Sequence, residues 1–250
     1  QAFVDRMPPG FDLGNASIGN LALAGGYLSH DCDIDSAITL FAGLVAARGV
    51  VAPVGCQNLH LAASLADGSR LVGQHLLTGK EVPAIGSPIV DLELVSDLED
   101  PQPTRGEAPQ SVLDLVGDAD LVCFPIGSFY TSVLAQLLPR GIGRALARVD
   151  CPKVYVANTE TDPEQVGMTL ADTVQRIVEA IRRDAGEDTP ISKILNLVII
   201  DSQAENRALP VDAERIEKMG IEVVTLPLVE PGTALHAAPR RLCEILISLT

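Results

Sequence analysis

The sequence contains no tryptophan, and aromatic residues make up only 3% of its 250 residues. Because 47% of the residues are hydrophobic, a sizeable core can still form, but Leu, Val, Ile and Ala must build most of it. Basic residues are also scarce: 18 Lys and Arg face 33 Asp and Glu, which gives a formal net charge of −15. Nucleic acids and anionic membranes are bound through basic patches, so we expect neither as a partner.

Paired cysteine motifs and long apolar runs are missing as well. The five cysteines, at positions 32, 56, 123, 151 and 243, form no C-x-x-C pair and are odd in number. This pattern indicates free thiols rather than a disulfide framework or a zinc site. The longest apolar runs, such as residues 197–200, are too short to span a bilayer, and no basic-then-apolar leader is visible. We therefore expect a cytoplasmic protein.

The sequence does contain a regular alternation of helix and strand patterns. Helices are predicted at 17–28, 36–48, 111–116, 130–138, 143–149, 169–183, 211–219 and 239–249. Strands are predicted at 50–54, 120–125, 153–158, 195–201 and 221–226. Two extended runs flank Asp67-Gly68 and predict a hairpin over about 58–78. The pattern predicts a single α/β domain over 1–250: a Rossmann-like three-layer parallel sheet with helices on both faces, plus an antiparallel β-hairpin.

The turn after the strand at 120–125 is the strongest candidate site. Gly127 is followed by three hydroxyl side chains, Ser128, Thr131 and Ser132, between a strand and a helix. Ligands bind beyond the carboxyl ends of strands in such sheets, and the first amides of a helix lack intrahelical partners. One interpretation is a phosphate cradle made of backbone amides and hydroxyls, without a lysine. The alternative is that Ser128 only caps the helix and Gly127 only turns the chain.

Three other stretches have competing interpretations. Gly141-Ile142-Gly143 imitates a dinucleotide-binding turn but follows a helix pattern, so a helix stop and restart explains it better. Residues 30–35 gather carboxylates that suit Mg²⁺, although capping of the next helix is the simpler explanation. Asn158 ends a strand and is a candidate ligand contact, whereas Asp162-Pro163 in the polar loop that follows could be only a turn. Residues 15–20 offer amide donors at a helix entry, or a cap plus a close-packing Gly19.

Four segments together resemble the superfamily of 2-phospho-L-lactate transferases and gluconeogenesis factors. They occur in family order over about residues 15–177 and read NASIGNLALAGGYL, LHLAASLADGSRLVG, PIGSFYTSVLAQLLPRGIGRAL, and KVYVANTETDP with GMTLADTVQRI. The PIGSFYTS segment is the most specific, and it is more similar to the gluconeogenesis-factor branch. The resemblance implies a Rossmann-like fold that binds a nucleotide or another phosphate-linked small molecule in the crevice.

The two branches imply different activities. The transferase branch uses Mg²⁺ to move a phospholactyl group onto a deazaflavin in coenzyme F420 synthesis; the other resembles a nucleotide-sugar-binding metabolic regulator. We expect a transferase of a phosphate-linked group, with the non-catalytic regulator as the alternative and a homodimer as the implied assembly. Carried over by position, the ligand-binding residues would be Asn15, Gly19, Asn20, Gly127, Ser128, Tyr130, Thr131, Ser132, Asn158 and Asp172.

The sequence also departs from the family pattern. The glycine-rich strand and loop with which the family opens, and the acidic loop that follows it, are not found in these 250 residues. Ile126 stands where a small residue is usual, and Thr173 where the regulator branch commonly has His. Because a parallel sheet without its first strand would expose pairing edges, we expect the chain to lack its N-terminal segment.

Overall fold

The computed structural model describes residues 2–7, 9–10, 13, 17–55, 57–79, 82–202, 209–229 and 238–250. The chain forms two compact units, residues 1–56 and 57–250. None of the helices in the described ranges is long and apolar enough to cross a membrane. The prediction of one domain over the whole length stays a prediction.

The first unit contains three helices: α1 (Ala2–Arg6), α2 (Ile18–Ser29) and α3 (Ile34–Leu44). The Asp33 carboxylate begins α3 by accepting hydrogen bonds from Asp35 N at 3.2 Å and Ser36 Oγ at 2.5 Å. This confirms the capping interpretation of the acidic stretch 30–35 for Asp33. The prediction of a strand at 50–54 is wrong, since these residues join no strand in the described part of the chain. Pro53 cannot donate to a ladder, and Val50 and Val51 are exposed.

An antiparallel sheet opens the second unit, in the order β2-β1-β3-β4. Its strands are β1 (His60–Leu65), β2 (Arg70–Val72), β3 (Ile89–Val95) and β4 (Pro103–Thr104). The predicted hairpin is confirmed, with Gly68 at a φ of +88° in its turn. Strand β3 was not predicted from the sequence, and its pairing with β1 extends the hairpin into a sheet.

The parallel sheet follows, in the order β5-β6-β7-β8, and confirms the predicted α/β fold. Its strands are β5 (Val122–Phe124), β6 (Lys153–Val156), β7 (Leu197–Asp201) and β8 (Glu222–Leu226). Helices α4 (Gln110–Gly117), α5 (Ile142–Arg148), α6 (Leu170–Ala185), α7 (Ala213–Lys218) and α8 (Pro239–Ile247) flank it. The parallel sheet carries fully buried aliphatic side chains, and α8 packs on three of them, Val154, Val156 and Ile199.

The helix predicted at 130–138 has a different form. Residues 129–137 make a π-helical turn (Phe129–Val133) and then a 3-10 turn (Leu134–Leu137), which together we call the 129–137 helical segment. It ends before Gly141, where φ is +99°, and α5 begins at the next residue. A Cβ on Gly143 would lie 2.6 Å from the Ile181 carbonyl oxygen of α6. The glycines therefore serve a helix stop, a restart and close helix packing, as the sequence predicts.

Candidate ligand-binding cleft

A cleft of about 450 Å³ opens beyond the carboxyl ends of β5 and β6, and we call it the carboxyl-edge cleft. This is the edge at which ligands bind in open parallel sheets, and the volume suits a small molecule. Its lining consists of Pro125, Ile126, Gly127, Ser128, Asn158, Thr159, Glu160, Thr161, Asp162, Pro163, Pro239 and Leu242. The structure thus brings together three of the predicted site residues, Gly127, Ser128 and Asn158.

Asn158 joins the two loops that form the floor of this cleft. Its Oδ1 accepts a hydrogen bond from Gly127 N at 3.0 Å, and its Nδ2 donates to Gly127 O at 3.0 Å. The side chain therefore satisfies both backbone groups of one glycine, much as a neighbouring strand would. We call this pair of hydrogen bonds the Asn158 clasp. It fixes the turn after β5 against the loop after β6, so the cleft floor is formed before any ligand arrives.

The amides that open the 129–137 helical segment are already occupied by the protein's own carboxylates. Phe129 N donates to Asp162 Oδ2 at 2.7 Å, and Tyr130 N and Thr131 N donate to Glu164 Oε2 at 2.8 and 2.9 Å. This corrects the phosphate cradle predicted from the sequence, which required these amides to be free. An anion could reach them only by displacing two acidic side chains.

Glu164 is the more deeply buried of these carboxylates, at 1% exposure. Besides the two amides, it accepts a hydrogen bond from Thr131 Oγ1 at 2.6 Å. Burial raises the pKa of this carboxyl above its ordinary value, because a charge loses its hydration there, while the hydrogen bonds from Thr131 and Tyr130 act in the opposite direction. The hydrogen bonds are what make a buried acid tolerable at this position.

Ser128 does not fit the capping interpretation, but it keeps the donors that the cradle interpretation needs. Its side chain makes no capping hydrogen bond, so the expectation that it caps the helix is wrong. Its carbonyl oxygen accepts from Ser132 N at 2.9 Å. Within the described residues, its own N–H and hydroxyl have no partner, and the residue lines the carboxyl-edge cleft. Ser128 is therefore the position of the predicted cradle whose donors remain available.

The other predicted hydroxyl positions lie elsewhere. Tyr130 is 2% exposed and its hydroxyl donates to Ile89 O at 3.1 Å, so it holds the helical segment to β3. Thr131 is buried against Glu164, as described above. Ser132 is exposed and does not line the cleft. These three residues support or flank the turn rather than face the cleft.

Asp172 caps a helix instead of lining the carboxyl-edge cleft. Its carboxylate accepts from Thr169 N at 2.9 Å while Thr169 Oγ1 accepts from Asp172 N at 3.2 Å, a reciprocal capping box at the start of α6. Gly19 and Asn20 belong to helix α2 in the first unit, where Asn20 is exposed. Asn15 lies outside the described residues.

The lining determines which ligand groups the cleft can hold. No Lys or Arg is among the described residues that line it, whereas Glu160 and Asp162 are. Pro and Leu side chains offer apolar contact, and the carboxylates can accept hydrogen bonds from hydroxyl groups, as in a sugar. The described residues contain no group of three or more His, Cys, Asp or Glu that could hold a metal. Those residues therefore offer no cluster of ligands for a resident Mg²⁺, and Mg²⁺ stays a prediction.

Asp162 and Glu164 are the residues that sequence reasoning missed. Asp162 belongs to the Asp162-Pro163 pair that could be only a turn, Glu164 follows it directly, and the two are buried at 8% and 1% exposure. Their role depends on partners more than 30 positions earlier in the chain, for which a single sequence carries no signal.

A protein-family model and several curated relatives match this chain. The family model for the 2-phospho-L-lactate transferase CofD matches residues 3–229. The gluconeogenesis factor of Bacillus subtilis is 30% identical over 229 residues, which are 89% of this chain and 67% of the relative. A relative from Nostoc sp. with a gluconeogenesis-factor name is 27% identical over 255 residues, 99% of this chain. The chain spans only 53% of that relative's length.

Solved structures agree on the fold. The crystal structure of a Bacillus halodurans protein superposes with a TM-score of 0.75 at 22% identity, covering 99% of this chain and 77% of the other. A second structure of the same Bacillus halodurans protein, described as a UPF0052 family member, gives a TM-score of 0.74 at 23% identity over 92% of this chain and 72% of that one.

Proposed function

Because the chain belongs to the 2-phospho-L-lactate transferase CofD family, we propose that it binds a nucleotide or another phosphate-linked small molecule in the carboxyl-edge cleft. The observation that carries the proposal is Ser128, whose N–H and hydroxyl have no partner among the described residues and border the cleft. Next to it, Gly127 has no side chain to keep a ligand from the backbone.

The composition of the cleft suggests how such a ligand would be oriented. The phosphate group would pass the bare backbone of Gly127 and accept hydrogen bonds from the N–H and hydroxyl of Ser128. The rest of the ligand would contact the proline and leucine walls, and its hydroxyl groups would donate to the acidic side of the cleft. In a protein with a net charge of −15, neutral donors close to the anion must carry the recognition.

Calorimetric titration with a panel of nucleoside diphosphates and nucleotide sugars, with and without Mg²⁺, tests this function. Ser128→Ala should weaken binding of any nucleotide that binds by about fivefold or more, the loss of one hydrogen bond to a charged group. Ser132→Ala is the matched control, because it removes the same hydroxyl from an exposed position outside the cleft. Equal effects of the two substitutions, or no nucleotide binding at all, would contradict the proposal.

Group transfer is the second candidate, favoured by the family model, whose description is that of a transferase. The chain would hold a nucleotide-linked donor while an acceptor hydroxyl attacks the phosphorus and the nucleotide leaves. Incubation with such donors and Mg²⁺, followed by chromatography, distinguishes the two activities. Release of free nucleotide that depends on an acceptor would support transfer, whereas binding without turnover would support a regulator of the gluconeogenesis-factor kind. Cytoplasmic location and a homodimer remain predictions.

A further inference from the structure

A second cleft, of about 580 Å³, lies in the same unit and shares no lining residue with the carboxyl-edge cleft. We call it the arginine cleft. It lies between β3, β4, the end of the 129–137 helical segment and the last turn of α6. Its lining consists of Asp91, Glu93, Leu94, Pro103, Thr104, Arg105, Leu138, Arg140 and Arg183. Its volume is within the range of small-molecule sites.

The two carboxylates in this cleft are already neutralised. Asp91 pairs with Arg183 at 2.9 Å, and Glu93 pairs with Arg70, which lies outside the lining, at 2.7 Å. Arg105 and Arg140 remain, and within the described residues their guanidinium groups have no ion-pair or hydrogen-bond partner. The cleft therefore carries two uncompensated positive charges, in a chain whose net charge is −15.

The chain holds these two arginines on adjoining segments. Arg140 N donates to Gly106 O at 2.8 Å, and Ala108 N donates to Arg140 O at 3.0 Å, so the backbone beside Arg105 is bonded to Arg140 itself. A Cβ at Gly106 would lie 2.9 Å from a methyl group of Leu59, which shows how closely this segment is packed. Because the backbone beneath the two side chains is already fixed, only the side chains lose entropy when a ligand binds.

From this geometry we propose that the arginine cleft is a second ligand site, which binds a compact polyanion bearing phosphate or several carboxylates. The guanidinium fork matches both groups bidentately. Leu94, Leu138 and Pro103 provide a small apolar wall for the carbon part of such a ligand. The acidic surface elsewhere on the protein repels anions, so the two charges give this cleft its selectivity.

The arginine cleft lies away from the carboxyl-edge cleft. Arg183 is in the last turn of α6, and in a parallel α/β unit the helix returns the chain towards the amino ends of the strands. A polyanion here would therefore occupy a site of its own rather than extend the ligand at the other edge. The proposal does not depend on the function proposed for the carboxyl-edge cleft.

Titration calorimetry with inorganic pyrophosphate and, separately, with citrate tests the proposal at low ionic strength. We expect saturable binding of at least one probe, weakening as salt is raised to about 0.15 M. The double variant Arg105→Ala with Arg140→Ala should weaken binding by about tenfold or more, because charge-assisted hydrogen bonds are lost. Pyrophosphate without citrate binding would identify a phosphate site, and the reverse a carboxylate site.

Arg148→Ala is the matched control, since Arg148 is exposed on α5 and does not line the cleft. It removes the same charge and should change affinity less than about twofold. Arg140→Lys keeps the charge but not the fork, and should fall between the unmodified protein and the double variant. Failure of both probes to bind, or an equal loss in the control variant, would overturn the proposal.

Discussion

Two helices in the second unit begin in different ways. At the start of α6, Thr169 and Asp172 form a local capping box, and Asp212 also accepts a hydrogen bond from Ala171 N at 2.9 Å. The 129–137 helical segment is capped by Asp162 and Glu164, which come from 33 and 34 residues away. The Thr169–Asp172 box joins two residues that lie three positions apart, whereas Asp162 and Glu164 tie the turn after β5 to the loop after β6. The difference teaches that the carboxylates of Asp162 and Glu164 shape the carboxyl-edge cleft, whereas the Thr169–Asp172 box lies outside that cleft and stabilises the start of α6.

The sharpest way to separate the two caps is to remove Glu164. Glu164→Ala leaves Tyr130 N, Thr131 N and Thr131 Oγ1 without their acceptor in a buried place, and should lower the free energy of unfolding by about 3 kcal/mol or more. Urea denaturation measures this loss. Glu164→Gln is the control, since its carbonyl oxygen can still accept from the two amides, and it should cost about 1 kcal/mol. Similar losses in both variants would show that the hydrogen bonds do not account for the effect.

Removal of the local cap should have a smaller effect. Thr169→Ala loses the hydroxyl that accepts from Asp172 N, and should lower the free energy of unfolding by about 1 kcal/mol. Thr169→Ser keeps a hydroxyl and should remain close to the unmodified protein. If Thr169→Ala cost as much as Glu164→Ala, the contrast between a local and a cleft-forming cap would fail.

The smallest expected effect is a difference in pH dependence. Burial raises the pKa of Glu164 above its ordinary 4.5, so its contribution to stability declines as the pH rises from 4.5 through the folded-state pKa. For Asp172, burial alone would raise the pKa, but hydrogen bonds from Thr169 and Arg215 outweigh it and lower the pKa below 3.8. Its contribution is complete above pH 3.8 and declines as the pH falls through the lower folded-state pKa.

Unfolding free energies measured between about pH 3 and 7 check both signs. Glu164→Gln should remove a contribution to the free energy of unfolding that decreases as the pH rises above 4.5. Asp172→Asn should remove a contribution that increases as the pH rises towards 3.8. If both contributions changed with pH in the same direction, the direction of the pKa shift assigned to Glu164 or to Asp172 would be wrong.

The same contrast explains how much the sequence could reveal. The alternation of strands and helices, the Asp67-Gly68 hairpin and the restart at Gly141 follow from short-range patterns, and the structure confirms them. Gly127, Ser128 and Asn158 could be grouped because strands of a parallel sheet end at one edge. The occupation of the helical amides by Asp162 and Glu164 could not be predicted, because it depends on how two loops fold against each other. Strand β3 was missed although IVDLELV is β-rich, and the structure pairs it with β1.

The Asn158 clasp links the floor of the carboxyl-edge cleft to backbone amides whose hydrogen exchange can be measured. Gly127 and Asn158 are joined by two hydrogen bonds, and Asp162, four residues after Asn158, accepts from Phe129 N. A ligand that restrains the cleft floor should therefore also restrain the amides at the start of the 129–137 helical segment. Deuterium uptake at Phe129, Tyr130 and Thr131 should therefore slow when the carboxyl-edge cleft is filled, even by a ligand that touches none of the three. Such protection would allow ligand occupancy of the carboxyl-edge cleft to be followed without an attached probe, before the natural ligand is identified.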